Sequence, residues 1–246
     1  MGGGSGGSVP VLAEGGILEA ERRGRWADLA PRAVSAVVLA PLALACCWRG
    51  GGAWSALVAA GALVLALEWR GMCRVGRLGL GAFGAGLAYI AVALASLVWL
   101  REAPGVGFGT VVFLLAIVWA TDVGAYLIGR WVGGVLLAPS ISPGKTWSGA
   151  VGGLAAAVLV GLGLSWRWSH AMHWGAVAAL AVLLSVASQL GDLLESAAKR
   201  RCGVKDSGRL IPGHGGLLDR VDGILCAAPA MAIVGLSVGR GMGLWN

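Results

Sequence analysis

Charge is what this sequence has least of. Only 13% of its residues are Asp, Glu, Lys or Arg, about half the ~25% of an average soluble domain. With 57% hydrophobic residues and a mean hydropathy of +0.80, a soluble α/β core is excluded in favour of a polytopic membrane protein. Phenylalanine is scarce too, three residues against twelve tryptophans, a bias that suits indole rings anchored at headgroup level. The cysteines, Cys46, Cys47, Cys73, Cys202 and Cys226, are odd in number and form no CxxC pair. That excludes a zinc knuckle and a disulfide framework, and leaves them as small apolar filler. No basic stretch leads directly into a short apolar run with a small-residue cleavage site, so no secretory signal is read. A GxSxG elbow and a Cys–His pairing are both missing from the polar loops, which argues against acyl-enzyme chemistry. No repeat suggests the inverted halves of many transporters.

What is present is a series of apolar spans near the ~20 residues a bilayer requires. They are expected at Ala33–Trp48, Ala53–Trp69, Leu78–Leu100, Phe108–Ile128, Trp147–Trp166, Trp174–Leu190 and Val221–Val238. The bilayer's demand for internal hydrogen bonding selects helix for each. The fold class is therefore all-α, a membrane protein with about seven transmembrane helices. The forty-three glycines fit close helix approach. Three regions follow: a tail at 1–30, flexible or amphipathic; N-terminal helices at 31–105; and a catalytic region at 106–246 with loops at 129–146 and 191–220.

The net charge of +7 does not indicate nucleic acid, because the bases sit in short loops between spans. Taking the loops alternately, fifteen of the nineteen Lys and Arg fall on one side, and only Arg49, Arg101, Arg167 and Arg240 on the other. The positive-inside rule then places the N-terminus and both polar loops in the cytoplasm. His170 and His173 fall in an opposite, periplasm-facing loop and are read as interfacial.

The polar residues are concentrated. Gly191–Asp222 holds five of the twelve acids and six of the nineteen bases. If the sixth helix continues past Leu190, Asp192, Glu195, Ser196 and Lys199 share one face and the helix ends near Gly203. The loop KDSGRLIPGHGG is built from turns, and Gly215 and Gly216 after His214 let backbone approach a ligand. LLDRVD then opens the last span with Asp219 and Asp222 on one face. Asp192, Asp219 and Asp222 can converge from two helices. Carboxylates with Lys and Arg nearby suggest Mg²⁺ and a polyphosphate, since Mg²⁺ favours a few carboxylates plus substrate phosphate oxygens.

A second polar stretch is SISPGKTWSG, Ser140–Gly149. Its GKT triplet is not a P-loop, because Pro139 stands where Walker A requires Gly and no strand is expected before it. Pro143 and Gly144 are expected to form a turn, and Thr146 to start a helix whose free N–H groups favour anions, with Lys145 beside them. In the fourth span Asp122 either faces a cavity or partner, or sits at the helix end paired with Arg130.

From Ser196 to Asp222 the pattern S-x-x-K-R-x4-K-D-x-G-x2-I-P-x-H-G-G-L-x-D-R-V-D resembles the signature of phosphatidate cytidylyltransferases (CDP-diacylglycerol synthases). GDLLES and SPGKTWSG look like the same family, whereas Ala198 and TDVGAY depart from its usual residues without removing a charged group. The resemblance implies a helical enzyme of a bacterial-type inner membrane, often dimeric. It would convert CTP and phosphatidic acid to CDP-diacylglycerol and pyrophosphate using Mg²⁺, with K⁺ as a possible companion. It implies a metal centre of Asp192, Asp219 and Asp222, with Lys199 also in the catalytic set. Substrate contacts are expected from Ser142, Lys145, Thr146, Ser196, Arg200, Lys205, Asp206, His214, Gly215, Gly216 and Arg220. A CTP-dependent enzyme acting on another lipid such as a polyprenol, and a membrane transporter, stand as alternatives.

Overall fold

The computed structural model describes residues 40–168, 173–208 and 215–237. A helix at 40–49, α1, is followed by α2 (Gly51–Val75), α3 (Leu80–Arg101), α4 (Gly107–Val132), β1 (Leu136–Ala138), β2 (Ser142–Thr146), α5 (Trp147–Trp168), α6 (Trp174–Arg201) and α7 (Leu218–Ser237). Among the described residues six helices, α2 to α7, are long and apolar enough to cross a membrane. The chain is an all-α polytopic membrane protein, with one small hairpin among the described residues. Of the expected first span only the part from residue 40 is described, as α1, and the N-terminal tail lies outside the described residues.

Apolar composition explains the helices, and their outward faces show the solvent they are built for. Leu63, Leu67, Leu159 and Ile233 are exposed on the bundle surface, where a water-soluble helix would carry polar groups. Trp131, Trp147, Trp166 and Trp174, also exposed, stand at helix ends, the places that interfacial indoles occupy.

α4 is the most enclosed helix. Val111, Phe113, Leu114, Ile117 and Val118 on it form the centre of the core, and it touches α3, α5, α6 and α7. Its tightest partner is α5, and the reason is glycine. A Cβ on Gly153 would lie 2.7 Å from the Thr121 carbonyl oxygen, and one on Gly149 would lie 2.8 Å from that of Ala125. Without side chains there, the two backbones pack almost directly on each other, the usual solution where lipid supplies no hydrophobic drive. Around the rest of the bundle α2 packs on α3, α3 on α7, α7 on α6, and α6 on α5.

Two ends result. At one, Arg101 closes α1 by donating from Nη2 to the Trp48 carbonyl at 3.1 Å, with Nε on that of Cys47. At the other end gather the C-termini of α2, α4 and α6 and the N-termini of α5 and α7, with the hairpin between α4 and α5. The hairpin was not legible in the sequence. Its strands pair antiparallel, Leu136 with Thr146 and Ala138 with Ser142, so the turn falls at 139–141 and Pro143–Gly144 lie within β2. The expected turn at Pro143–Gly144 is corrected accordingly. α6 runs on past Leu190 to Arg201, close to the end expected near Gly203.

Candidate active site

The hairpin delivers its chain directly into α5, and Thr146 makes the join. Its Oγ1 accepts a hydrogen bond from the Gly149 N–H at 3.1 Å, the pattern of a helix N-cap. The Ser148 hydroxyl, 3.0 Å from Thr146 Oγ1, bonds the Gly133 carbonyl and so ties the start of α5 to the end of α4. Arg200, from the end of α6, donates to the Ile141 carbonyl at 3.4 Å and holds the hairpin tip. The helix start expected at Thr146 is thus placed one residue on, at Trp147.

Beneath the hairpin lies a cavity of about 480 Å³ between α4, α5 and α6, within the ~300–1,000 Å³ usual for small-molecule sites. Asp122, Tyr126, Arg130, Lys145, Thr146 and Asp192 line it, with Gln189 deeper. Asp122 and Arg130, which the sequence left as either cavity group or helix-end pair, both face this space. Gln189 is fixed by donating to the Ala150 carbonyl at 3.3 Å. Thr121 donates to Ser185 Oγ at 3.0 Å, a polar link between α4 and α6 at the cavity floor.

Asp192 joins this cavity to a second feature, a cluster of acids on α6 and α7. Carboxylate oxygens of Asp192, Glu195 and Asp222 lie within 4.8 Å of one another. The meeting depends on one glycine. A Cβ at Gly191 would stand 2.5 Å from the Asp222 carbonyl oxygen, so only glycine lets the two helices cross at the level where their acids converge. Lys145 from the hairpin forms an ion pair with Asp192, and Ser196 Oγ donates to the same carboxylate at 3.4 Å. Lys199 bridges the two helices, 2.7 Å from Glu195 and 2.6 Å from Asp219. Asp222 accepts from the Gly223 N–H at 2.7 Å.

Asp219 is placed differently from the expected metal centre. One oxygen takes Lys199; the other accepts from the Ser207 N–H at 3.0 Å, its hydroxyl at 2.9 Å and the Gly216 N–H at 2.9 Å. That carboxylate is already satisfied, and it organises the loop between α6 and α7. Gly215, with φ +78°, sits against it. Glu195 takes its place in the acid cluster. It is only 8% exposed, and among the described residues its Oε1 has no hydrogen-bond partner, an arrangement that leaves a buried carboxylate oxygen in need of a donor or a cation. Carboxylates in this cluster outnumber the ammonium groups touching them, and an all-oxygen donor set suits a hard divalent ion such as Mg²⁺. The residues present fit such a group.

Other expected contacts are more scattered. Ser142 begins β2 opposite Ala138 and is not on the cavity wall. Lys205, Asp206 and Arg220 are exposed on the same end of the bundle, and His214 lies outside the described residues. Spacing placed Glu195 on the helix face of Asp192 without giving it a role in the site, and Glu68 was missed. Glu68 is a lone acid in the apolar run before Trp69, and that isolation was its signal.

Residues 78–238 match the family model described as Cytidylyltransferase family. The chain belongs to the cytidylyltransferase family. Within that family it is 50% identical over 179 residues to a protein of Brucella suis biovar 1 (strain 1330) named phosphatidate cytidylyltransferase, a match covering 73% of this chain and 63% of the relative. A protein of the same name from Brucella abortus (strain 2308) matches over the same shares. One from Staphylococcus aureus (strain COL) is 39% identical over 148 residues, 60% of this chain and 56% of its own. The chain therefore spans less than two thirds of the length of these cytidylyltransferase relatives.

Proposed function

We propose that this chain is a phosphatidate cytidylyltransferase, joining CTP and phosphatidic acid into CDP-diacylglycerol and pyrophosphate. The observation that carries the reading is the convergence of Asp192, Glu195 and Asp222 at the edge of a cavity lined by Lys145 and Arg130. The names of the relatives support the choice of substrates. The loop-charge asymmetry supports a site on the cytoplasmic side of a bacterial-type inner membrane. A homodimer follows from the resemblance alone.

The reaction needs no nucleophile from the protein, because a phosphate monoester brings its own anionic oxygen. That oxygen bonds to the α-phosphorus of CTP while the bond from this phosphorus to the β-phosphate's bridging oxygen breaks. Pyrophosphate leaves with the electron pair. Catalysis of such a transfer is mainly positioning and charge neutralisation. Asp192, Glu195 and Asp222 would hold Mg²⁺, with K⁺ a candidate for a second position. When bound, the cation supplies positive charge to the phosphates and the departing pyrophosphate. Asp122 and Asp192 on the cavity wall repel an unaccompanied polyphosphate, so phosphate binding is coupled to cation binding. Lys145 and Arg130 offset the remaining phosphate charge, and the capped start of α5 orients N–H groups toward the same space. Lys199, braced by Glu195 and Asp219, fixes the spacing of α6 and α7. Tyr126 lines the cavity and is also exposed on a membrane-spanning helix, which suits entry of a lipid from the side.

The reading is tested with purified protein, CTP, Mg²⁺ and a panel of lipids. Pyrophosphate release that requires phosphatidic acid is expected. Release with a polyprenol or its phosphate in place of phosphatidic acid would replace the substrate, and solute flux in liposomes without nucleotide would point to a transporter.

A further inference from the structure

Glu68 stands in the apolar middle of the sequence, with no other acid between Asp28 and Glu102. It lies outside the segment 78–238 that matches the family, and it is about 150 residues away from the polar stretch in which its partners lie. In the fold, however, its carboxylate is 8% exposed and points at the start of α7. Oε1 accepts the Leu217 N–H at 2.8 Å, and Oε2 accepts the Leu218 N–H at 2.8 Å. Ser207 Oγ lies 3.4 Å from Oε2.

These contacts answer a deficiency that is visible in the sequence. The first N–H groups of a helix have no partners within it, and Ser, Thr, Asp or Asn at the preceding position normally accepts from them. α7 is preceded by Leu217, whose side chain has no acceptor to offer. Glu68 reaches across from α2 and accepts from the N–H of Leu217 and from that of Leu218, the first of the helix, and its negative charge also complements the helix dipole there. The surroundings are shaped for it. A Cβ at Gly216 would come within 2.6 Å of Glu68 Oε2, and one at Gly208 would lie 3.0 Å from Oε1, so the connection is kept bare at both points where it passes the carboxylate. α2 itself is braced next door, since Trp69 donates from its indole nitrogen to the Phe83 carbonyl at 3.0 Å.

We infer that Glu68 is a positioning residue for the acid cluster. By fixing the first backbone groups of α7 it sets the axial height of Asp219 and Asp222 against Asp192 and Glu195 on α6. The inference rests on the cytidylyltransferase reading for its kinetic consequence, but its structural consequence does not depend on that reading. Glu68→Gln keeps the volume and one oxygen, yet turns an N–H₂ toward a backbone donor.

The test compares the full chain with Glu68→Gln and Glu68→Ala by hydrogen exchange of the segment that begins α7, thermal unfolding and CTP turnover. Expected are amide exchange at Leu217 and Leu218 at least tenfold faster, a kcat at least tenfold lower, and a higher Mg²⁺ concentration for half-activation. KM for CTP should change far less, and in Glu68→Gln the melting temperature should hold. Unchanged exchange in the Gln variant overturns the inference. So does a loss of melting temperature with kcat per folded molecule intact, because Glu68 would then be a stabilising contact only. Faster exchange in a protein whose wild type shows no CTP turnover would leave the positioning role standing and remove the activity on which its kinetic part rests.

Discussion

Substituting Gly191 by alanine adds one methyl group at the point where α6 and α7 touch. The new Cβ would stand 2.5 Å from the Asp222 carbonyl oxygen and 2.8 Å from the Cys226 Cβ. Contact distances below 3.0 Å are essentially never seen for a real Cβ, so the helices must separate by at least about 0.5 Å, and an ordinary carbon contact at ~3.5 Å calls for about 1 Å. Neither neighbour can yield by rotating a side chain: one is backbone and the other is a β-carbon fixed to it. Separation acts directly on the carboxylates of Asp192 and Asp222, which sit on either side of the crossing. A misplacement of ~1 Å can cost about 100-fold in rate, and overpacking a fitted contact costs ~1–3 kcal/mol of stability. Gly191→Ala is therefore expected to lower CTP turnover by 10- to 100-fold while the protein still inserts and can be purified. Gly61→Ala is the control, since a Cβ there meets nothing within 4 Å, and it should retain wild-type turnover. Wild-type activity in Gly191→Ala would refute the claim that this crossing sets the geometry of the acids.

Further outcomes follow from the same geometry. Thr146→Ala removes the oxygen that caps α5 and should cost about 1 kcal/mol in thermal unfolding, with Thr146→Ser restoring most of it; equal stabilities would contradict the capping role. Asp222→Asn and Glu195→Gln keep size and remove charge, so each should abolish Mg²⁺-dependent turnover in a folded protein. Asp219→Asn, by contrast, should also loosen the loop at Ser207 and Gly216, detectable as faster hydrogen exchange there. Chelation of divalent ions should stop wild-type turnover and added Mg²⁺ should restore it; turnover that persists in chelator would detach the acid cluster from the reaction.

Which of these features could be read from the sequence follows a physical division. Span length and composition identify α2 to α7, because a bilayer admits few alternatives to a helix of about 20 apolar residues. Helical spacing likewise puts Asp192, Glu195 and Lys199 on one face, and Asp219 and Asp222 on another. It does not say how the two helices are rotated against each other. That depends on the crossing at Gly191, and it decides that Glu195 rather than Asp219 meets Asp192 and Asp222. The hairpin was illegible for a different reason. β1 has three residues and β2 contains Pro143 and Gly144, which local preference assigns to a turn; attachment to α4, α5 and Arg200 overrides it. Glu68 lies furthest from local rules, since its partners are fixed only once α2, α3 and α7 have packed.

The central claim is that the acids of α6 and α7 serve the transfer of a cytidylyl group onto a lipid phosphate. It is tested most directly by following label from CTP into phosphatidic acid with the wild-type chain and Asp222→Asn. With phosphorus label at the α-position, the account predicts Mg²⁺-dependent appearance of label in the lipid product of the wild type and none in the variant. Label at the γ-position should be released in pyrophosphate. Label from the γ-position in the lipid, with CDP left in solution, would identify a kinase and contradict the account.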